Sequence, residues 1–305
     1  MCGLAGFMSR SFPDPERRLI AMTDAIIHRG PDSSGHWVDA NAGVALGHRR
    51  LSIVDLSSAG HQPMTSASGR YVFVFNGEIY NHLDLRADLE AAGFAPAWRG
   101  LSDTETLIAG FDAWGVTTTI GRAIGMFAFA VWDRQNRKLI LGRDRIGEKP
   151  LYYGWQGEGE QATFLFGSEL RALRAHPVCG SEIDRGAVVQ FMRHGHVGES
   201  NAIYKGLHKL PPGCLAELSL DKPEPAVTQY WSAVEALRPT AADIDPATAV
   251  DELDALLRDA VARQMVADVP LGAFLSGGVD SSLVVGLMQA QSPRPVRTFS
   301  IGFNE

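Results

Sequence analysis

The sequence has little that would indicate a secreted or a nucleic-acid-binding protein. Its three cysteines, Cys2, Cys179 and Cys214, are an odd number at wide spacings, so no disulfide framework is expected. The formal net charge of −7 argues against a nucleic-acid partner, because phosphate binding needs clustered Lys and Arg. The composition therefore predicts reduced thiols in a chain that does not bind nucleic acid.

Long apolar runs are also missing. No run approaches the roughly eighteen residues that are needed to cross a bilayer. The start of the chain, MCGLAGFMSR, has neither the charged leader nor the apolar stretch of a signal peptide. Only Met1 precedes Cys2, so a lipoprotein cysteine is not expected either. These absences predict a cytoplasmic protein without a membrane partner.

Enough apolar sequence is present for a large core. Of the 305 residues, 45% are hydrophobic and 21% are charged, which predicts one large domain or two ordinary ones. β-Branched and aromatic runs predict strands at 71–75, 126–132, 139–142, 151–155 and 163–167. The first run is expected to end in a turn at Asn76-Gly77, and 126–132 and 139–142 are expected to form a hairpin.

Two amphipathic helices lie between these strands. They are predicted at 82–92 and 104–114, and either Ser102 or Asp103 is expected to be the N-cap of the second helix. Apolar strands next to amphipathic helices predict an α+β layered domain whose sheets are covered by helices.

The character of the chain changes in its second half. Pro-rich, polar sequence predicts a connector over 211–245, after a first domain at 2–210. A helix is predicted from Pro246 to Met265, followed by an apolar run at 269–275, a helix at 281–289 and a strand at 296–303. This order predicts a βαβ unit of a parallel α/β sheet. Since one such unit cannot bury both faces, the domain at 246–305 is expected to be incomplete.

Cys2 is a candidate nucleophile. Gly3 follows it, and removal of Met1 would leave a thiol and a free α-amine on one residue. The amine titrates near about 7.7–8.0 and a free thiol near about 8.5, so the amine can accept the thiol proton at neutral pH. By itself a cysteine at the second position is more often idle, and the prediction depends on the sequence around it.

Five sequence blocks supply that context. They are Cys2-Gly3-Leu4-Ala5-Gly6, His28-Arg29-Gly30-Pro31-Asp32, His48-Arg49-Arg50-Leu51-Ser52-Ile53, Phe75-Asn76-Gly77-Glu78-Ile79-Tyr80-Asn81 and Ser102-Asp103-Thr104-Glu105. In this order they resemble the class II glutamine amidotransferases over roughly residues 2 to 170. The resemblance implies an αββα N-terminal-nucleophile fold and a glutaminase activity.

The resemblance also implies a role for each matching residue. Cys2 would attack the glutamine amide and form a glutamyl thioester, while the Asn76 side chain and the Gly77 N–H would stabilise the oxyanion. Arg50 would bind the α-carboxylate and Asp103, with Glu78, the α-ammonium. The implied glutamine-binding residues are Arg50, Leu51, Ile53, Asn76, Glu78 and Asp103. Without the other blocks, Asn76-Gly77 would be interpreted as a hairpin turn and Asp103 as a helix cap.

Histidines contribute little to the prediction. His28 and Asp32 are expected to lie in a loop that frames the site rather than to react. His194 and His196 have the spacing closest to that of metal ligands, and it is a weak signal. No metal is therefore expected in the first domain.

A second motif, SGGVDSS, lies between the predicted strand and helix of the second domain. Backbone N–H groups of a Gly-rich turn at a helix N-terminus form an anion site, and this turn lacks the Lys of a Walker A loop. The motif resembles the PP-loop of ATP pyrophosphatases, which implies ATP as a substrate and Mg²⁺ bound at Asp280. The implied ATP-binding residues are Leu275, Ser276, Gly277, Gly278, Asp280, Ser281, Ser282 and Ile301.

A glutaminase domain followed by a PP-loop resembles the family of glutamine-dependent asparagine synthetases. The resemblance implies glutamine, aspartate and ATP as substrates: an aspartyl adenylate would be attacked by ammonia that reaches it through the protein interior. Three alternatives stay open: another carboxylate acceptor such as a sugar acid, a fragment that only binds glutamine or nucleotide or only hydrolyses glutamine, and a hydrolase of other amides. The sequence leaves the oligomeric state open, with a homodimer as one option.

Overall fold

The computed structural model describes residues 1–198, 200–237 and 245–302. The chain separates into two compact units, Met1–Ala236 and Leu237–Glu305, which are described one at a time. Residues 238–244 of the predicted connector and Phe303, the predicted end of the last strand, lie outside the described residues.

The first unit contains two antiparallel sheets and the helices that cover them. In chain order its strands are β1 (Gly3–Ser9), β2 (Ser33–Asp39), β3 (Val44–Arg50), β4 (Met64–Thr65), β5 (Tyr71–Ile79), β6 (Gly125–Asp133), β7 (Lys138–Arg143), β8 (Tyr152–Gln156), β9 (Thr163–Gly167), β10 (His208–Lys209), β11 (Cys214–Leu218) and β12 (Ala226–Gln229). Its helices are α1 (Pro15–Asp24), α2 (His82–Ala91), α3 (Asp103–Trp114), α4 (Val116–Arg122), α5 (Leu170–Arg174), α6 (Arg185–His194) and α7 (Ala233–Ala236).

The strand order gives each sheet six strands in the described part of the chain. The first sheet runs β10-β8-β9-β1-β3-β2 and the second runs β12-β11-β7-β6-β5-β4. One apolar cluster fills the space between the sheets, while two others join the first sheet to α1 and α5 and the second sheet to α2, α3 and α4. The layers are therefore helix, sheet, sheet and helix, which confirms the predicted αββα fold.

The two-residue period of the strands decides which side chains face between the sheets. On β5, Val72 and Val74 belong to the core between the sheets, whereas Phe73 and Phe75 pack under the helices. Asn76 continues the inward-facing series of β5. On β1 the inward series contains Leu4. Cys2 lies two residues before Leu4, so its side chain points to the same side, towards the second sheet. Cys2 and Asn76 therefore face each other between the two sheets.

Local predictions are confirmed where neighbouring residues form the element. The strands at 126–132 and 139–142 form the β6–β7 hairpin, and the helices at 82–92 and 104–114 correspond to α2 and α3. Ser102 is the N-cap of α3, since its side chain accepts a hydrogen bond from the Glu105 N–H. Asp103 lies inside the first turn, so the alternative cap was wrong.

The turn predicted at Asn76-Gly77 is also wrong. β5 continues through both residues, with Asn76 opposite Ala128 and Gly77 opposite Phe127 on β6. An Asn-Gly pair supplies a turn only where the flanking chain reverses. Here about fifty residues separate the paired positions, and the partner strand extends the pairing to Ile79.

The structure differs from the predicted connector at 211–245. In the described part of that segment, β11 pairs with β7 and β12 pairs with β11 at the edge of the second sheet. Cys214, Ala216 and Leu218 are buried in the core between the sheets. Pro-rich stretches lie on either side of β11, and for this reason the sequence does not predict a strand there. The predicted domain limits stay predictions.

The second unit contains α8 (Pro246–Gln264), β13 (Gly272–Phe274), α9 (Val279–Ala290) and β14 (Arg297–Phe299). β13 and β14 are parallel, with Phe274 opposite Phe299, so the predicted βαβ unit is confirmed. On the predicted apolar face of α8, Val250 and Leu253 are exposed. Within the described ranges of the whole chain, none of the helices combines the length and the apolar character of a bilayer span.

Candidate active site

The predicted glutaminase residues line one pocket of the first unit. The eight residues are Cys2, Arg50, Leu51, Ile53, Asn76, Gly77, Glu78 and Asp103. They come from the residue just before β1, the end of β3 and the loop after it, the second half of β5 and the first turn of α3. The pocket also contains residues that were not predicted, among them Gln62 and Lys149.

The Cys2 thiol is held against the backbone of Leu51. The Leu51 N–H donates to Sγ at 3.3 Å, and Sγ lies 3.5 Å from the Leu51 carbonyl oxygen. Burial raises the pKa of the thiol above its ordinary value. Burial also lowers the pKa of the terminal amine on Met1, with the cations of Arg29 and Lys149 adding to the change. A protonated thiol therefore lies beside an amine that is more readily neutral than usual.

The His28-Arg29-Gly30 block anchors the main chain of Cys2. Arg29 Nε donates to the Cys2 carbonyl at 2.9 Å, and Arg29 Nη1 donates to Glu169 at 3.0 Å. The same carboxylate oxygen lies 2.9 Å from His28 Nε2. A Cβ on Gly3 would lie 3.1 Å from Arg29 Cδ, so glycine allows the arginine stem to pack there. Sequence reasoning missed the roles of Arg29 and Glu169, although Arg29 stands in a quoted block.

Asp32 supports the loop after β3. Its Oδ2 accepts the Ser52 N–H at 2.8 Å, and its own N–H donates to the Arg50 carbonyl at 3.1 Å. Asp32 thus frames the site, as the sequence predicts, because it joins the second block to the third.

Arg50 has a fixed guanidinium. It is 8% exposed, and its Nη1 donates to the Ser57 carbonyl at 2.9 Å while Nη2 donates to the Asp55 carbonyl. A Cβ on Gly60 would overlap Nη2, so only glycine leaves room for this rotamer. A planar donor held in this way is preorganised to bind a carboxylate.

Asn76 has a buried donor without a partner. The residue is 1% exposed, and among the described residues no acceptor meets its Nδ2. A buried unsatisfied amide destabilises the fold by about 1–3 kcal/mol. Such a group in a pocket beside a thiol is suited to a negative charge that develops only during reaction.

The register of β5 and β6 determines where the Gly77 N–H points. Phe127 lies opposite Gly77, yet its N–H donates to Asp144 Oδ2 at 3.1 Å and its carbonyl accepts the Asp144 N–H at 2.8 Å. The N–H and C=O of a strand residue point to the same side. The polar groups of Phe127 therefore face away from β5, and the Gly77 N–H points away from β6.

The neighbours of Gly77 along β5 confirm this direction. The Phe75 N–H donates to Gln62 Oε1 at 2.6 Å, and the Ile79 N–H donates to Asp103 Oδ2 at 2.9 Å. Alternate residues of a strand direct their N–H groups to the same side. The Gly77 N–H lies between these two and faces the pocket that Gly77 lines.

Two side chains hold the peptide groups before Asn76. His48 Nε2 donates to the Phe75 carbonyl at 2.9 Å, and burial lowers the pKa of His48 to about 3, so the ring is a neutral donor. Gln62 accepts the Phe75 N–H and donates to Thr104 Oγ1 at 3.3 Å. This network was missed because a lone His or Gln gives no sequence signal for a long-range hydrogen bond.

Glu78 and Asp103 form an acidic wall of the pocket. Burial raises the pKa of both carboxyl groups, and the charge of Asp103 raises the pKa of Glu78 further. Two carboxylates that repel each other in a partly buried pocket are stabilised when a cation binds between them. This part of the pocket therefore suits an ammonium group.

The second predicted motif lies in the second unit, between β13 and α9. Gly277 adopts φ +82, and Ser276 Oγ lies 3.0 Å from Ser281 Oγ. Ser282 Oγ donates to the Gly278 carbonyl at 2.8 Å. Gly278 is the residue before α9 and Asp280 lies in its first turn. The motif therefore lies at the N-terminus of a helix, as expected.

Leu275 and Ile301 follow the two parallel strands. The Leu275 N–H donates to the Phe299 carbonyl at 2.8 Å, and Ile301 is exposed just after β14. Both residues thus lie beyond the carboxyl ends of adjacent strands, as predicted.

The two histidines with the spacing closest to that of metal ligands contact each other, since His196 Nδ1 donates to the His194 carbonyl at 3.0 Å. Over the part of the chain that the structure describes, no three metal-ligating side chains come together.

Comparison with known proteins relates the chain to two families. Residues 1–231 match the family model of the glutamine amidotransferase domain, and residues 252–305 match that of asparagine synthase. A Mycobacterium tuberculosis protein that is provisionally named a glutamine-hydrolyzing asparagine synthetase is 38% identical over 320 residues, which cover 99% of this chain and 48% of that protein. The glutamine-hydrolyzing asparagine synthetase 3 of Bacillus subtilis is 35% identical over 314 residues, which cover 100% of this chain and 48% of that protein. The chain thus spans about half the length of the curated relatives it matches.

A solved structure is similar in fold. Glutamine phosphoribosylpyrophosphate amidotransferase from B. subtilis, complexed with ADP and GMP, superposes with a TM-score of 0.54 over 98% of this chain and 65% of that chain. The identity is 16%, so the similarity concerns the fold alone. It agrees with the order of layers in the first unit.

Proposed function

Because this chain belongs to the glutamine amidotransferase domain family, we propose that its first unit hydrolyses glutamine to glutamate and ammonia. One observation carries the proposal: the unpartnered Nδ2 of Asn76 lies in the same pocket as the thiol of Cys2. A site that only binds glutamine needs neither a nucleophile nor a buried donor without an acceptor.

The acidic wall and the guanidinium orient the substrate. Arg50 binds the α-carboxylate of glutamine, and Glu78 with Asp103 binds its α-ammonium. The two charged groups on the α-carbon are then fixed, and the side-chain amide extends towards Cys2. Binding both charged groups selects L-glutamine over simple amides, because an amide that lacks them leaves the buried charges without a partner.

The chemistry follows from the groups at the thiol. After removal of Met1, the α-amine of Cys2 accepts the thiol proton as Sγ forms a bond to the amide carbon. The oxyanion of the tetrahedral intermediate accepts hydrogen bonds from Asn76 Nδ2 and the Gly77 N–H. The C–N bond then breaks, and the α-ammonium returns its proton to the leaving ammonia. Water attacks the thioester, which releases glutamate and the thiol.

Equal release of glutamate and ammonia from L-glutamine tests this proposal. The N-terminal residue is identified by mass spectrometry in the same preparation, and D-glutamine is the control substrate. A chain that begins with Cys2 and yet releases no glutamate would refute the proposal. A chain that keeps Met1 and hydrolyses glutamine would refute the role of the amine.

We further propose that the ammonia amidates aspartate through an aspartyl adenylate, with release of AMP and pyrophosphate. The match of residues 252–305 to asparagine synthase supports this part. ATP would bind at the segment from Ser276 to Ser282, whose N–H groups lie just before α9 and in its first turn. Asp280 supplies one carboxylate, which suits Mg²⁺ because this ion is held largely by the phosphates of its nucleotide.

Binding of MgATP tests the second part. Titration calorimetry should detect binding to the chain, and Asp280→Asn should weaken it in the presence of Mg²⁺. Ser292→Ala, outside the loop, is a control. Product analysis with aspartate and with a sugar acid, on a protein of the full length of the curated relatives, then separates asparagine synthesis from amidation of another carboxylate. Binding that is equal in both variants would remove Asp280 from the site.

A further inference from the structure

A buried lysine lies in the proposed glutaminase pocket without a role in the steps above. Lys149 is 5% exposed and lines the pocket together with Cys2 and Glu78. Its Nζ donates to the Sδ of Met1 at 3.2 Å. This contact places the ammonium group of Lys149 close to the N-terminus. Removal of Met1 would free the α-amine of Cys2 in the same region.

The backbone of Lys149 is rigidly held. Its N–H donates to Asp144 Oδ2 at 2.9 Å, and its carbonyl accepts from Arg143 Nε at 2.8 Å. Asp144 is fully buried and also accepts the N–H groups of Phe127 and Glu148. The loop after β7 is thus attached to β6, and it delivers the lysine side chain to the pocket in a defined position.

The charges around the amine come from several elements. In the structure the terminal amine belongs to Met1, and it faces the Cys2 thiol, Arg29 from the block after α1, Lys149 from the loop after β7, and Glu78 from β5. The α-amine that removal of Met1 frees is one residue further along the chain, in the pocket that Cys2, Glu78 and Lys149 line. In turn, Lys149 faces Glu78, Arg29 and the two carboxylates of its own loop, Glu148 and Asp144. In the described part of the chain no ion pair contains Lys149, so no carboxylate neutralises it by direct contact.

We propose that Lys149 is a positioning residue that keeps the α-amine of Cys2 unprotonated, so that this amine can accept the thiol proton at neutral pH. The inference rests on the proposed glutaminase function. In this role Lys149 acts through the amine rather than through a contact with glutamine.

The physical reason is repulsion between like charges in a partly buried pocket. A second cation close to an amine disfavours its protonated form, and the effect is larger where water is excluded. Burial lowers the pKa of Lys149 itself, but Glu78 and Glu148 favour its charged form. Removal of the lysine charge therefore raises the pKa of the α-amine, so that a larger fraction of it is protonated at neutral pH.

The test compares Lys149→Met and Lys149→Arg with the unaltered chain. At saturating glutamine the acid limb of kcat should move to higher pH by about half a unit to one unit in Lys149→Met. Lys149→Arg keeps the cation and should keep the limb in place. Lys138→Met, at the other end of β7, removes a half-exposed lysine outside the pocket and is the matched control.

A second measurement does not depend on turnover. In the Cys2→Ala background the pKa of the N-terminal amine is read from the pH dependence of its trace acetylation, by mass spectrometry. Addition of Lys149→Met should raise that pKa by a similar amount. If Lys149→Met is poorly folded by circular dichroism, Lys149→Gln takes its place.

The outcomes separate the inference from the function on which it rests. An unmoved amine pKa, or a kcat that falls equally at all pH values, would show that Lys149 has only a structural role. If the unaltered chain does not hydrolyse glutamine, the proposed function fails, while the acetylation profile still decides whether Lys149 controls the amine.

Discussion

The N–H of Leu51 donates to the Sγ of Cys2 at 3.3 Å across two neighbouring strands of the first sheet. Leu51 directly follows Arg50, so one short segment holds both the thiol and the guanidinium that is proposed to bind the substrate. The distance between the proposed nucleophile and the proposed carboxylate site is therefore set by the pairing of β1 with β3. The same pairing brings residues of separate sequence blocks into one pocket.

Substitution of the nucleophile should abolish hydrolysis without unfolding the chain. In Cys2→Ala the α-amine remains but no thioester can form, so glutamate release should fall to background. Cys179→Ala removes a half-buried thiol outside the pocket and should retain full turnover. Glutamate release and circular dichroism check both variants. Unchanged turnover in Cys2→Ala would refute the nucleophile assignment.

Truncation of Asn76 should separate catalysis from stability. Asn76→Ala removes a proposed oxyanion donor, so kcat should fall by about 10²–10³-fold with a small change in KM. Its stability should stay within about 1 kcal/mol, because the lost packing is offset by removal of a buried unsatisfied amide. Steady-state kinetics and thermal unfolding measure the two effects. Asn136→Ala, whose amide contacts Asp133 away from the pocket, should leave kcat unchanged.

A methyl group at Gly60 should displace the guanidinium of Arg50. The Cβ of Gly60→Ala would overlap Nη2, so we expect the KM for glutamine to rise by about tenfold or more, with a smaller effect on kcat. Gly121→Ala, in helix α4, meets no atom within 4 Å and should not change KM. Equal kinetics in both variants would mean that the position of Arg50 does not matter for binding.

The acidic wall should make glutamine binding depend on pH. Burial raises the pKa of Asp103 and of Glu78, so both carboxyl groups become protonated at a higher pH than ordinary carboxyl groups. Binding of the α-ammonium needs the ionised forms, and KM should therefore rise as the pH falls through the raised pKa values.

Asp103→Asn tests this dependence. It keeps an oxygen that can accept the Ile79 N–H but removes the charge, so KM at neutral pH should rise by roughly 10–100-fold. The remaining pH dependence should be weaker. Thermal stability at neutral pH should not fall. Burial raises the pKa of Asp103, so the ionised carboxylate destabilises the folded state at neutral pH, and asparagine carries no such charge. A KM that stays constant with pH in the unaltered chain would contradict the assignment.

Short-range features of both units could be predicted from the sequence. The β6–β7 hairpin, helices α2 and α3 and the βαβ unit arise from neighbouring residues whose propensities and apolar patterns agree with the final fold. Long-range features could not. Whether Asn76-Gly77 forms a turn or a strand depends on a partner strand about fifty residues away. The segment β11 can be recognised as a strand of the second sheet only from its pairing with β7.

The candidate site shows the same division. Its eight catalytic and glutamine-binding residues could be predicted because their blocks resemble those of a family, and the pocket contains all eight of them. The supporting roles of His48, Gln62 and Lys149 could not be predicted, although His48 stands in a quoted block, since each role depends on hydrogen bonds or charges that join distant segments. Such contacts leave no periodicity in a single sequence.

The sequence by itself predicted the nucleophile, through the resemblance of its five blocks to a family, and it determined the layered arrangement, because that arrangement follows from local apolar patterns. Only the tertiary structure decided that the Asn76 amide is left without a partner, that the Gly77 N–H points into the pocket, and that a lysine lies beside the N-terminus. These properties depend on burial and on strand register. Both arise from packing between elements far apart in the chain, so they are set only when the two sheets meet.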